Sequence, residues 1–321
     1  MLGVARRLRS APRTLRCEFK KNNQKDTLNM RNTLILWLLK LISWLPLGIA
    51  RMKGLFVGWL LYVINAQPAR ITRLNLALCY PEMSSAEIKK LCKKRMQHLA
   101  QTIFETPKVW RKGNPWVTQN IVSIKGLELF EAAIADSAGT ILVIPHQGNW
   151  EVLGLWAGER KAMTSLYDPP RMIELETWIK TSREQSGATL VPTNVRGVAA
   201  LIKALKRGEI TGILPDQQPP PESGEFVPLL GVEVRTMTLI HKLLQRSGSQ
   251  ALMCTALRVP GGWELHFVAP AQDIYSMDEV TSLLALNKGV EDIIALAPEQ
   301  YQWEYKRFRE RPKGVDSIYD Q

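Results

Sequence analysis

His146 and Glu151, five positions apart in HQGNWE, are the side chains of this 321-residue chain best suited by type and spacing to move a proton. Imidazole titrates near neutral pH. A carboxylate on its second nitrogen fixes the tautomer and stabilises the imidazolium, so such a pair is a general base for a weakly acidic hydroxyl. In one continuous helix, at about 100° per residue, the two would be displaced by about 500° and lie on different faces. They meet if a strand ends at His146, Gly148 turns the chain and Asn149 caps a helix whose first turn holds Glu151, where negative charge is also favoured. The flanking runs, GTILVIP before and VLGLW after, fit that strand, turn and helix. His98, His241 and His266 lie within helix or strand patterns and read as surface or satisfied core residues. The chain has no GxSxG, P-loop, GxGxxG or HExxH motif, and Cys17, Cys79, Cys92 and Cys254 form no CxxC pair. Serine-nucleophile, nucleotide-binding and zinc chemistry are therefore unsupported, and neither metal nor cofactor is expected.

From Asn120 onward, short runs rich in β-branched residues alternate with helical patterns, which predicts an α/β fold with a largely parallel central sheet flanked by helices. The expected strands are NIVSI, GTILVIP, ATLVPT, EITGILP, ALMCTALRV and WELHFVA. Helices are expected near Leu127 to Ala135, Val152 to Glu159, Ile173 to Gln185, Val195 to Arg207, Thr236 to Arg246 and Met277 to Leu296. Ligands bind where strands of such sheets end. His146 ends one strand, and Asp216 and Gln217 come directly after GILP at the end of another, on the same sheet edge. Upstream, Ser84 and Glu87 form a capping box for an amphipathic helix with Ile88, Leu91, Cys92, Met96, Leu99 and Ile103 on its apolar face. Lys89, Lys90, Lys93, Lys94 and Arg95 occupy the other face, as a membrane-facing stripe or a solvated surface.

Hydrophobic residues make up 45% of the chain and charged residues 22%, a balance that folds. The net charge of +12 calls for an anionic partner. Its distribution narrows the choice, because the first 30 residues hold eight basic side chains against Glu18 and Asp26, directly before the apolar run Thr33 to Ala50. A second apolar run spans Gly54 to Ala66. Lys40 and Pro46 interrupt the first, which is close to the roughly 17 residues a bilayer span requires. Basic flanks on both sides leave orientation open between a span and an interfacial helix. The expected organisation is a basic tail (1–32), an apolar membrane-anchoring segment (33–66) and a catalytic domain (67–321). A nucleic-acid role lacks a recognition fold and leaves the apolar N-terminus without a purpose.

The chain resembles the lipid A biosynthesis acyltransferase family, the lauroyl and myristoyl transferases of Gram-negative bacteria, whose hallmark is His, four residues, then Asp or Glu. HQGNWE carries that hallmark, and NLALCYPE, ALKRGEITGILPDQ, the segment Gly231 to Thr236 and APEQYQWEYKRFRERPKG extend the likeness from about Thr33 to Tyr319. The resemblance implies a glycerol-phosphate-acyltransferase-like fold with an N-terminal membrane helix, at the bacterial inner membrane with the catalytic domain on its cytoplasmic face. It also implies acyl carrier protein as donor, a hydroxyl of a lipid A precursor as acceptor, and anionic inner-membrane lipids as surroundings. His146 would be the base, Glu151 its partner, and Asn149, Arg183, Asp216 and Gln217 substrate-binding residues, Arg183 on a phosphate or the acyl carbonyl. Two departures bear on chain or acceptor preference: Tyr167, Asp168, Pro169, Pro170, Arg171 where Tyr-Arg-Pro is frequent, and Leu229, Leu230, Gly231 where Phe-Phe-Gly is. Siblings acting on a glycosylated inositol lipid or an aminolipid, and a thioesterase with water as acceptor, are the alternative readings.

Overall fold

The apolar β-branched runs become the strands of one seven-stranded sheet of order β1-β9-β8-β2-β5-β3-β4. These are β1 (Ile121–Lys125), β2 (Thr140–Val143), β3 (Met163–Tyr167), β4 (Ala188–Pro192), β5 (Ile210–Ile213), β8 (Gln250–Val259) and β9 (Gly262–Val268). Neighbours pair in parallel except β8 with β9, so the expected largely parallel α/β sheet is present. The computed structural model describes residues 30–170 and 172–319; the basic tail up to residue 29 and Arg171 lie outside them.

All four residues of β2 are buried, as a central strand covered on both faces requires. Ile141 and Val143 enter one core cluster, with Leu201, Leu243 and Ile293. Leu142 and Ile144 enter the other, with Phe130, Trp156 and Phe267. The first lies under helices α8 (Val195–Lys206), α9 (Leu239–Ser247) and α10 (Glu279–Leu296), the second under α5 (Leu127–Ala135) and α6 (Trp150–Arg160). Val143 pairs in register with Ile213 of β5. His146 and Asp216 therefore each stand three residues beyond a matched pair, at one edge of the sheet.

Among the elements that escape the sequence reading are a strand and a hairpin. Strand β3 carries polar Thr164 and Ser165 in only five residues, too short and mixed for a period to show. A hairpin of β6 (Gly224–Leu229) and β7 (Val232–Met237) turns through Leu230 and Gly231, at φ 51° and 74°. Thr236 and Met237, expected in a helix, complete β7 instead, because their side chains continue its in-and-out alternation, and α9 starts only at Leu239.

The apolar N-terminal segment is divided. Helix α1 (30–44) stops before Pro46, and α2 (Leu47–Val63) continues from there into α3 (Gln67–Cys79) at a bend of 75°. No single described helix is long and apolar enough to cross a membrane, so the expected spanning helix is not found there. Proline supplies the reason: it lacks an N–H, and the residue before it is pushed out of helical geometry. Helix α2 lies along α4 (Ser85–Gln119) through glycines: a Cβ on Gly58 would fall 2.3 Å from the Met96 carbonyl oxygen. Beneath this contact Glu105, fully buried, accepts from Arg51 of α2 and from Arg258 of β8 (2.8 Å). Two guanidiniums on one carboxylate offset its desolvation, which would otherwise forbid the charge there.

The capping box of α4 forms, with the Ser84 N–H donating to Glu87 at 2.8 Å. Gly113, at φ 66°, breaks the helix late. Arg95 departs from its expected place on the solvated face. It is buried, and its guanidinium donates to both Glu304 oxygens at 2.8 Å.

Candidate active site

Beyond β2 the chain makes the anticipated strand, turn and helix. Gly148 has φ 62°, and a Cβ there would lie 2.0 Å from the Ala256 carbonyl oxygen, so glycine is required twice over. The Gly148 and Asn149 N–H groups donate to Gln300 O (3.1 Å) and Ala256 O (2.9 Å). Asn149 occupies the N-cap of α6 without a side-chain cap. Its amide instead faces Thr106 of α4 at 3.5 Å, which turns it away from the helix end it was expected to cap.

The carboxylate on His146 is Asp216. Its Oδ1 lies 2.7 Å from His146 Nδ1, and its Oδ2 accepts the His146 backbone N–H at 2.8 Å. Burial would raise the Asp216 carboxyl, but the facing His146 charge, then hydrogen bonds from its ring and backbone, outweigh that and hold it below the usual carboxylate range. The Gln217 amide Nε2 sits 3.2 Å from His146 Nε2 and also donates to Gln302 Oε1 at 3.3 Å. With Nδ1 engaged by the carboxylate, Nε2 is the atom that can take a proton, and an amide donor already rests on its lone pair. Trp150 closes one side, ring centroids 5.0 Å from the imidazole and near edge-on. The imidazole is slightly exposed, at 12% of its side chain, against 2% for Asp216.

Glu151 does not fold back onto the imidazole as the spacing suggests. It is held by Arg183 of α7 (Ile173–Gln185), Nη2 to Oε1 at 2.5 Å and Nε to Oε2 at 3.2 Å. The reason is the sheet register, which brings a second carboxylate straight onto Nδ1, while a buried Glu151 in the first turn of α6 meets the last turn of α7. Arg183, expected on substrate, thus has an internal partner, and its guanidinium also lies over the Tyr167 ring at 5.5 Å. Below the pair opens an apolar cavity of about 90 Å³ lined by Ile144, Trp150, Leu155, Met163, Leu190, Gly212 and Leu214 among others.

The turn after β2 is pinned by the end of α10 and the segment that follows it. Gln302 N–H donates to His146 O at 3.0 Å, and the Gln147 amide reaches Ile294 O (3.2 Å) and Ala297 O (2.9 Å). Tyr301 is buried with its phenol interacting with Asp216. These residues fall in APEQYQWEYKRFRERPKG, whose concentration of aromatic and charged residues outside any period was the available signal. The remaining histidines are structural. His98 meets the Arg258 guanidinium at 2.9 Å, and burial, then that charge, lowers it to about 3, so it stays neutral. His266 pairs with Glu264 at 2.7 Å, and His241 is buried. Among the described residues, no group of three or more His, Cys, Asp or Glu is placed to hold a metal ion.

Residues 17–310 match the family described as bacterial lipid A biosynthesis acyltransferase. The chain is 31% identical to the lipid A biosynthesis lauroyltransferase of Escherichia coli (strain K12) over 294 residues, covering 89% of this chain and 92% of the relative. It is 30% identical to the palmitoleoyltransferase of the same organism over 295 residues, with the same coverage. Identity to that organism's myristoyltransferase is 26% over 258 residues, 77% of this chain and 76% of the relative.

Proposed function

The chain belongs to the bacterial lipid A biosynthesis acyltransferase family and is an acyltransferase, and from that premise we propose that it moves a fatty acyl group from an acyl carrier protein thioester onto a hydroxyl of a lipid A precursor. The observation that carries the mechanism is His146 held at Nδ1 by Asp216, with Nε2 turned to the Gln217 amide. The acceptor hydroxyl takes the place of that amide at Nε2. Its proton passes to the imidazole as its oxygen bonds to the thioester carbonyl carbon, and the Asp216 carboxylate stabilises the imidazolium. Collapse of the tetrahedral intermediate breaks the C–S bond, and the imidazolium returns the proton to the leaving thiolate. Glu151 and Arg183 line the apolar cavity, where the acyl chain begins. Glu151 accordingly acts through Arg183 and the donor site, rather than as the partner of the base.

The test is direct transfer. Purified protein given acyl-loaded carrier protein and a lipid A precursor is expected to yield, by mass spectrometry, a lipid heavier by one acyl chain. Free fatty acid as the sole product, unchanged by added lipid, would make the protein a thioesterase.

We further propose that it works on the cytoplasmic face of the inner membrane among anionic lipids. Support comes from the outward faces of α1 and α2, where Trp37, Trp44, Phe56, Trp59 and Leu60 are exposed, a large apolar surface of the kind that marks an interaction site. Aromatic side chains favour the headgroup level of a bilayer. The intact protein is expected to float with vesicles containing anionic lipid and to stay bound in high salt, whereas Phe56→Glu with Trp59→Glu releases it. Recovery of intact protein in the detergent-free supernatant would overturn this assignment.

A further inference from the structure

A second cleft, of about 630 Å³, begins one residue beyond the amide that touches His146. Gln218 lines it, and the Gln218 N–H donates to the Tyr305 hydroxyl at 3.1 Å, fixing the cleft floor to the segment that pins the turn after β2. Its far wall is Gln67, Pro68 and Ile71, at the start of α3 and directly after the exposed apolar end of α2. The cleft thus lies between the residue that follows Gln217 and the start of α3, where the exposed apolar end of α2 gives way.

Four charged side chains line it, and they do not cancel. Glu304 is engaged by buried Arg95 at 2.8 Å, and Glu310 by Arg235 at 2.9 Å. Lys306 and Arg309 also line it, and neither makes an ion pair among the described residues; Lys306 lies over the Tyr319 ring at 5.2 Å. The carboxylates being spoken for, the cleft presents two free cations beside the hydrogen-bonding side chains of Gln67, Gln218 and Tyr305. A guanidinium offers a planar fork of donors and an ammonium a compact charge, a combination suited to a phosphate. The volume falls within the several hundred Å³ usual for small-molecule sites, enough for a sugar-sized group around that phosphate.

We propose that this cleft is the headgroup subsite of the acyl acceptor, with Lys306 and Arg309 holding a phosphate monoester of a glycolipid whose chains remain beside α2. The proposal rests on the acyltransfer reading for its acceptor, and adds what part of that acceptor is recognised and where. An enzyme reading the phosphate here would present a hydroxyl of the same headgroup to His146 Nε2.

Equilibrium binding separates the two ideas. The probes are a synthetic acylated glycolipid carrying one phosphate monoester and its dephosphorylated counterpart, each dilute in neutral detergent micelles with the full-length protein. Wild type is expected to prefer the phosphorylated lipid by about tenfold or more, as hydrogen bonds to charged groups allow. Lys306→Gln with Arg309→Gln should shrink that preference most of the way to unity. Arg309→Gln alone, at an exposed position, should shrink it in part and guards against misfolding of the double variant. Equal affinity of wild type for the two lipids, or a preference untouched in both folded variants, would overturn the subsite. A protein that shows the preference yet transfers no acyl group to any lipid hydroxyl would keep the subsite and overturn the acyltransfer reading.

Discussion

His146→Ala is expected to abolish nearly all acyl transfer, by roughly 10²- to 10⁴-fold or more, while the protein is expected to fold and to float with vesicles as before. A hydroxyl is a poor nucleophile until its proton leaves, and the thioester carbonyl gives no help with that proton. In the proposed mechanism Nε2 of His146 takes that proton, with the Asp216 carboxylate on the opposite ring nitrogen. Alanine removes it without disturbing the turn. The bonds that shape the turn come from backbone groups, His146 O accepting from Gln302 N–H at 3.0 Å and Gly148 N–H donating to Gln300 O at 3.1 Å. The loss should therefore appear in kcat for the complete reaction, with affinity for the lipid acceptor close to unchanged. The measurement is steady-state transfer with both substrates varied, beside a thermal melt. A folded variant with transfer near that of the unaltered chain would remove His146 from the mechanism, and with it the acyl-transfer chemistry assigned to this edge.

Much of this candidate site could be read from the residues because they sit at strand ends. GTILVIP and EITGILP each announce a buried strand, and the polar residue just past each one, His146 in the first case and Asp216 in the second, stands at a ligand-binding edge. The carboxylate that meets His146 could not be read that way. Spacing along one segment favours Glu151, five residues on, whereas the contact is made by a residue seventy positions away, through the pairing of Val143 with Ile213. Strand order is a long-range property, and periodicity within a strand carries no trace of it. The same limit hid the ion pair of Arg95 with Glu304, where a residue on the polar face of its helix is fixed by a distant segment, and the helix contact at Gly58. The split of the apolar N-terminus was signalled by Pro46. Composition over the whole run, close to the length of a span, left a spanning helix open beside an interfacial one.

Asp216→Asn and Glu151→Gln, each replacing one carboxylate by its amide, are expected to differ sharply. The Asp216 carboxylate accepts the His146 backbone N–H at Oδ2 and the ring N–H at Oδ1, with the Tyr301 phenol beside it. An amide has one acceptor. The backbone N–H cannot turn, so the asparagine oxygen goes to it and the NH₂ group faces Nδ1, which must then accept. The ring proton moves to Nε2, and the base is held in the wrong tautomer, the outcome that costs about 10⁴-fold when the carboxylate of a serine-protease triad is changed in this way. The lost charge adds to the effect, since the facing His146 and its hydrogen bonds outweigh burial and hold Asp216 below the usual carboxylate range. Linkage takes the same direction: the stability Asp216 contributes is present above the ordinary carboxylate pKa and is lost only as pH falls through its depressed folded value. The asparagine variant should lack that neutral-pH stability and so show a shallower loss of stability on acidification, along with roughly 10²- to 10⁴-fold of kcat. Glu151→Gln leaves the Asp216 bonds to Nδ1 intact. It removes the charge opposite Arg183, whose side chain is 30% exposed and can turn to water. A weaker grip on the acyl donor, read as a higher KM, is expected with a much smaller loss of kcat. Equal collapse of kcat in both folded variants would return Glu151 to the base, and a folded Asp216→Asn with full turnover would end the role of Asp216 in setting the imidazole.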